Sequence, residues 1–236
     1  ILINQVTVEC INNKLYMISL KNITKSYKLW KNDSIQILKW INIEIKSWEF
    51  VAIIWPSWSW KSTLMNIIWM LDTPTTWEYY LNNDRVDNLK DWKQWKIRSR
   101  KIGFIFQNYS LLPRISAVDQ VMIPLGYQWY STSESKALAI KYLQKVWLWD
   151  KLKNRPNELS WWQSQRVAIA RALVVNPDII LADEPTWALD SKTWEEILNL
   201  FKEINKEWKT VIIITHDPWI AKKANRVINI KDGEIV

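Results

Sequence analysis

Residues 53–64 read IIWPSWSWKSTL, with Lys61 and Ser62 at the end of a loop. An apolar run, FVAII (50–54), precedes that loop, and an apolar helical pattern, STLMNIIWML (62–71), follows it. The order is that of the spacing G-x-x-x-x-G-K-[ST], a loop between buried strand and helix whose backbone N–H groups wrap phosphates. Yet tryptophan stands at both glycine positions, Trp55 and Trp60, and again between them at Trp58. An indole does not fit there. The backbone must approach phosphate oxygens to hydrogen-bond distance, and a non-glycine residue in the left-handed region costs about 1–2 kcal/mol. Taken literally, the loop is closed to phosphate.

The same conflict recurs along the chain. Its 236 residues include 3 glycines and 19 tryptophans, whereas an ordinary domain carries about 7% glycine. Tryptophan occupies polar turns such as IKSWEF, TTWEYY, NKEWKTV and HDPWIA. Glycine belongs in such turns, and tryptophan is normally drawn toward burial. With glycine at these letters, LSWWQSQRVAIARAL reads LSGGQSQRVAIARAL, and DEPTWALD reads DEPTGALD. The expectation is a gene that uses UGA as a glycine codon, written here as tryptophan. Gly103, Gly126 and Gly233 then come from ordinary glycine codons. The alternative is a degenerate protein that is truly rich in tryptophan.

Composition narrows the class. Hydrophobic residues are 48% and charged residues 24% of the chain, enough for a sizeable core with an ordinary charged surface. The length suits one domain with an inserted subdomain. The net charge of +8 comes from scattered rather than blocked basic residues, which reads as a basic surface and not as a nucleic-acid footprint. The single cysteine, Cys10, rules out a disulfide within the chain and fits a reducing compartment. No run of 18 apolar residues occurs, and no signal-peptide pattern opens the chain. The first methionine is Met17. Residues 1–16 are expected to be either an upstream extension or leader, or a genuine N-terminal strand.

Besides FVAII, the runs KIGFIF (101–106), IILAD (179–183) and TVIIIT (210–215) read as strands buried on both faces. Helical patterns alternate with them. Ile197, Leu200, Phe201 and Ile204 form one face of a helix, and so do Ala137, Ile140, Leu143 and Val146; SQRVAIARALVV (164–175) is a third helix. The alternation predicts an α/β fold with a mainly parallel core sheet. Residues from about 108 to 170 show no strand pattern and are expected to form an inserted helical subdomain.

Together the phosphate-loop spacing, GFIFQ, LSWWQ, IILADEP and IIITHD, in that order, carry a resemblance. From Met17 to Val236 the chain resembles the ATP-binding subunit of ABC transporters. The resemblance implies a P-loop NTPase of the ABC ATPase type, with an antiparallel N-terminal β region added to the core sheet. It implies ATP and Mg²⁺ as cofactors and ATP hydrolysis as the activity. Tyr27 matches the aromatic residue that stacks on adenine. Trp55, Pro56, Ser57, Trp58, Ser59, Trp60, Lys61, Ser62 and Thr63 match the phosphate loop. Ser62, Gln107 and Asp183 match the Mg²⁺ site, Gln107 also sensing the membrane partner. Ser160, Trp161, Trp162 and Gln163 match the signature that meets the ATP of a second subunit. Glu184 matches the residue that orients or deprotonates water, His216 (the single histidine) the switch on the γ-phosphate, and Asp190 the loop that communicates across the dimer.

The resemblance further implies a homodimer of ATPase domains closed by ATP, a membrane permease partner, and a peripheral place on the cytoplasmic face of the membrane. No nucleic-acid partner is expected. QNYSLLPRISAVDQVMIPLGY is similar to the lipoprotein-releasing and macrolide-export group, with Asp119-Gln120 where that group often has Glu-Asn. Tyr109 to Pro124 is expected to touch the permease. A cell-division type ATPase that transmits force without transport is the alternative, or, with tryptophan real, a catalytically dead relative. An ABC ATPase of DNA repair or translation would carry two domains or a coiled-coil insert, and a base- or sugar-stacking module would gather its tryptophans on one platform. Neither pattern is present.

Overall fold

Short, wholly apolar runs make the core strands, as their composition dictates. The structure, a computed structural model, describes residues 16–28, 33–55, 58–186 and 190–236. The expectation for residues 1–16 therefore falls outside the described residues, apart from Tyr16. In chain order the elements are β1 (Tyr16–Lys28), β2 (Ser34–Lys46), β3 (Phe50–Ile54), α1 (Trp58–Ile68), β4 (Thr76–Leu81) and β5 (Asp84–Arg85). Then come α2 (Asp91–Lys101), β6 (Ile102–Ile105), α3 (Ala117–Met122), α4 (Thr132–Lys145) and α5 (Trp161–Leu173). The last are β7 (Ile179–Asp183), α6 (Ser191–Lys206), β8 (Thr210–Thr215), α7 (Pro218–Ala221), β9 (Arg226–Lys231) and β10 (Glu234–Ile235).

The chain divides into two compact units, residues 1–95 with 216–236, and residues 96–215. In the first, an antiparallel sheet has the order β2-β1-β4-β5. Its register pairs Ile18 with Ile45 on one side and with Leu81 on the other. Beside β3, β9 runs parallel, Val51 opposite Arg226, and β10 returns antiparallel to β9.

The second unit contains three parallel strands, β6, β7 and β8, with Ile102 opposite Ile179 and Ile179 opposite Thr210. All six residues of β8 and all four of β6 are buried, which is why these strands read as unbroken apolar runs. Between β6 and β7 every regular element is helical, with 3-10 turns at Ile123–Gln128 and Pro156–Glu158. Helices α3, α4 and α5 pack on one another, and α5 packs on β6. The α6 face is the expected one, Ile197, Leu200, Phe201 and Ile204 all being 3% exposed or less. The α4 face is corrected in its first half, where Ser135 and Ala139 are buried rather than Ala137, which is exposed, and Ile140, which is half-buried; Leu143 and, just past the helix, Val146 are buried as expected. The buried row there follows strict i, i+4 spacing, in which a serine counts by position rather than by hydropathy.

Gly103 fixes how closely α5 meets β6. A Cβ at this position would lie 2.5 Å from the Ala172 carbonyl oxygen and 2.9 Å from Ile180 Cδ1. Gly103→Ala is therefore expected to lower stability by about 2 kcal/mol through overpacking, read as a lower urea midpoint at unchanged slope.

Candidate functional site

The end of β3 leads into the loop with the phosphate-binding spacing. Trp55 is only 3% exposed. Its indole Nε1 is buried and has no hydrogen-bond partner among the described residues. An orphaned buried N–H costs about 1–3 kcal/mol, a cost that a glycine at this position would not carry. Pro56 and Ser57 lie outside the described residues, and the side chains of Trp58, Ser59 and Trp60, which open α1, lie outside them too. Lys61 is 8% exposed and Thr63 5%, both on the first turns of α1, and Ser62 is exposed. A lysine nearly buried at a helix N-terminus is costly unless it meets negative charge. His216, exposed, follows the last residue of β8, and Asp217 caps α7 by accepting from the Trp219 N–H at 2.8 Å.

In the second unit, Gln107 lies two residues past β6, and Asp183 ends β7. Glu184 comes next, 4% exposed and with φ of +43°. Its N–H donates to the Ile214 carbonyl at 2.9 Å. Its Oε2 accepts from the hydroxyl of Thr215 at 3.1 Å, and Thr215 is wholly buried. The carboxylate is thus aimed by the adjacent parallel strand. A left-handed, non-glycine residue stores strain that only a firm frame retains, a pattern concentrated at functional sites. Thr215 is absent from the sequence-derived site; its one signal is a hydroxyl residue just before the histidine at a buried strand end.

Ser160 is the N-cap of α5, with its Oγ accepting from the Gln163 N–H at 3.3 Å and its N–H donating to Gln163 Oε1 at 2.8 Å. Because the serine oxygen accepts in that capping box, its O–H hydrogen is left to donate outward. Trp161, at the first helical position, is 65% exposed. Asp190 accepts at Oδ1 from the Thr193 N–H at 3.0 Å and at Oδ2 from the Thr193 hydroxyl at 2.8 Å, opening α6. The loop after Gln107 is tied down at two points. Arg171 of α5 donates to the carbonyls of Tyr109 and Ser110 at 2.6 and 2.7 Å. Gln120, wholly buried, donates to the Leu112 carbonyl at 2.6 Å and accepts from its N–H at 3.2 Å.

Among the described residues five tryptophans have left-handed backbones: Trp40 (φ 52°), Trp48 (63°), Trp129 (65°), Trp147 (59°) and Trp208 (63°). Each is at least half exposed, Trp129 by 92%. A bulky residue at positive φ is an outlier, and at most half of each side chain is buried to offset it.

Comparison with known proteins agrees with this geometry. The family described as ABC transporter matches residues 38–187. An uncharacterized ABC transporter ATP-binding protein of Bacillus subtilis, YvrO, is 51% identical over 222 residues, 93% of this chain and 96% of its own. The macrolide export ATP-binding/permease protein MacB of Syntrophobacter fumaroxidans is 44% identical over 93% of this chain but only 31% of its own length. The dimeric structure of a post-hydrolysis state of the ATP-binding cassette MJ0796, bound to ADP and Pi, superposes with a TM-score of 0.85. It is 46% identical, over 93% of this chain and 96% of that one. The expected α/β ABC ATPase fold, with its antiparallel N-terminal sheet and mainly parallel core, is thereby shown.

Proposed function

The chain belongs to the ABC transporter family, and from that premise we propose that it is the ATP-binding and ATP-hydrolysing subunit of an export or extraction system of the macrolide-export and lipoprotein-releasing type. The observation that carries the reading is Glu184, a buried carboxylate at the end of a parallel strand, held in a strained backbone and aimed by Thr215. Such a group is built to orient or deprotonate a water against a phosphoryl group. Lys61 neutralises phosphate charge. Ser62, Gln107 and Asp183 are hard oxygen donors, few in number, which suits Mg²⁺ that keeps waters and substrate phosphates in its shell. Bound there, Mg²⁺ would neutralise charge on the phosphates. His216 donates toward the terminal phosphate, Tyr27 stacks on the base, and Asp190 lies at the dimer contact.

The Ser160 hydroxyl and the following N–H groups of α5 present donors and a positive helix end to the nucleotide of a second copy. Two copies then close head to tail on ATP; the cassette MJ0796 is dimeric in its solved structure. MacB joins such a domain to a permease in one chain. The permease partner is proposed to dock here on Tyr109 to Pro124, within a helical subdomain spanning about 108–170. The chain would lie on the cytoplasmic face of the membrane; among the described residues no helix is long and apolar enough to cross it.

The reading includes glycine, not tryptophan, in the working polypeptide at Trp40, Trp48, Trp55, Trp58, Trp60, Trp77, Trp129, Trp147, Trp161, Trp162, Trp187, Trp208 and Trp219. Left-handed backbone at five of these, and the orphaned indole of Trp55, support it. Phosphate release from ATP by this glycine form is the test. Lys61→Ala is expected to weaken ATP binding at least about a hundredfold, the loss of a desolvated charge contact. Equal ATP affinity in the variant would remove the loop from the mechanism.

A further inference from the structure

Tyr27, near the end of β1, is held at two points although the residue is 40% exposed. Its hydroxyl donates to Asp72 Oδ2 at 2.8 Å. Lys25, two residues earlier and so on the same face of the strand, donates to Asp72 Oδ1 at 2.6 Å and to the Thr73 carbonyl at 2.7 Å. The same ammonium lies 4.8 Å from the centroid of the Tyr27 ring. Lys25 is 8% exposed. Burial pushes the Asp72 carboxyl up, and the hydrogen bonds from Lys25 and Tyr27 outweigh it, holding it below the ordinary aspartate value. The three side chains close a triangle in which one carboxylate receives both a cation and a phenol.

This arrangement exceeds what a lysine–aspartate pair needs for its own stability. A surface tyrosine ordinarily rotates about χ1 and χ2; here the ring is fixed by its hydroxyl at one edge and by a cation on one face. Ordering before a ligand arrives removes an entropy cost from binding. We propose that Lys25 and Asp72 are positioning residues for the nucleotide base: they set the Tyr27 ring as a fixed platform, the cation covering one face and the base stacking on the other. The proposal rests on the reading of Tyr27 as the base-stacking residue.

The test compares equilibrium affinity for ATP and for inorganic tripolyphosphate in the glycine form and in Tyr27→Ala, Tyr27→Phe, Lys25→Met, Asp72→Asn and Asp72→Glu. Tyr27→Ala is expected to weaken ATP about tenfold, the scale of one stacked base, with tripolyphosphate unchanged. Lys25→Met, Asp72→Asn and Tyr27→Phe are each expected to weaken ATP about threefold, again with tripolyphosphate unchanged, and Asp72→Glu to recover part of the loss. Unchanged ATP affinity in Tyr27→Ala would remove the stacking reading itself. A loss in Tyr27→Ala with none in the other three would leave stacking in place and overturn the positioning role. Equal losses for ATP and tripolyphosphate would also overturn it, because they place the effect on the phosphate side or on folding. Tyr27→Phe removes a single oxygen and keeps the question answerable if Asp72→Asn fails to fold.

Discussion

Glu184→Gln in the glycine form is expected to lower the ATP turnover number by about 10²–10⁴-fold, the range of a positioned general base, while ATP affinity stays within about twofold. The amide keeps the size of the side chain and still accepts from the Thr215 hydroxyl, which lies 3.1 Å from Glu184 Oε2. What it loses is the ability to take a proton and to present two equivalent acceptors to water. Thr215→Val is the companion. Valine keeps the buried volume of a wholly enclosed residue and removes only the aiming hydroxyl. The expected result is a turnover number about tenfold lower with KM unchanged, because an interaction of about 1–1.5 kcal/mol is lost at the carboxylate. If Glu184→Gln turns over ATP at the parent rate, the carboxylate is structural and the base must be sought elsewhere. Single-turnover phosphate release separates these cases from effects on product release.

Stability should differ as sharply between the glycine form and a protein that truly carries tryptophan at the same positions. Trp40, Trp48, Trp129, Trp147 and Trp208 all have left-handed backbones and exposed side chains, so their indoles gain little burial to offset the strain. At about 1–2 kcal/mol each, the five together cost about 5–10 kcal/mol, comparable with the whole stability of an ordinary domain. The tryptophan form is expected to aggregate or to unfold at much lower urea, and to show no ATP-dependent change in stability. The glycine form is expected to fold cooperatively and to gain stability with ATP, as a ligand that binds only the native state requires. Parallel urea titrations with and without ATP check both statements. Equal midpoints would mean that the backbone at these turns tolerates indoles without strain.

Much of this was legible from one-dimensional pattern, and what was not has identifiable causes. The strands β3, β7 and β8 span the apolar runs FVAII, IILAD and TVIIIT, because parallel strands covered on both faces carry no polar interruptions to blur their ends. β6 is shorter than KIGFIF by one residue at each end, the ordinary looseness of a strand boundary. The α4 stripe holds at Leu143 and Val146 but is displaced in its first half, because a buried serine, Ser135, carries no hydropathic signal. Among site residues, Lys61, Asp183, Glu184 and His216 stood out by motif. Thr215 did not, because its role exists only through the pairing of β7 with β8, which sets Asp183 opposite Ile214. Gln120 reads in sequence as a small departure from a family pattern; in the fold it is a buried clamp on Leu112. Lys25 and Asp72 are 47 residues apart, and their meeting at Tyr27 follows from tertiary structure alone.

The most direct measurement is the sequence, by mass spectrometry, of one tryptic peptide from the native source: Ser47 to Lys61, written SWEFVAIIWPSWSWK. It contains Trp48 with its left-handed backbone, Trp55 with its orphaned indole, and Trp58 and Trp60 of the phosphate loop. Glycine at all four positions is the predicted result, and it would give the loop the open backbone that Lys61 and Ser62 need. Tryptophan at those positions would contradict the account: the loop would be closed to phosphate, and the family relationship would describe ancestry without hydrolysis.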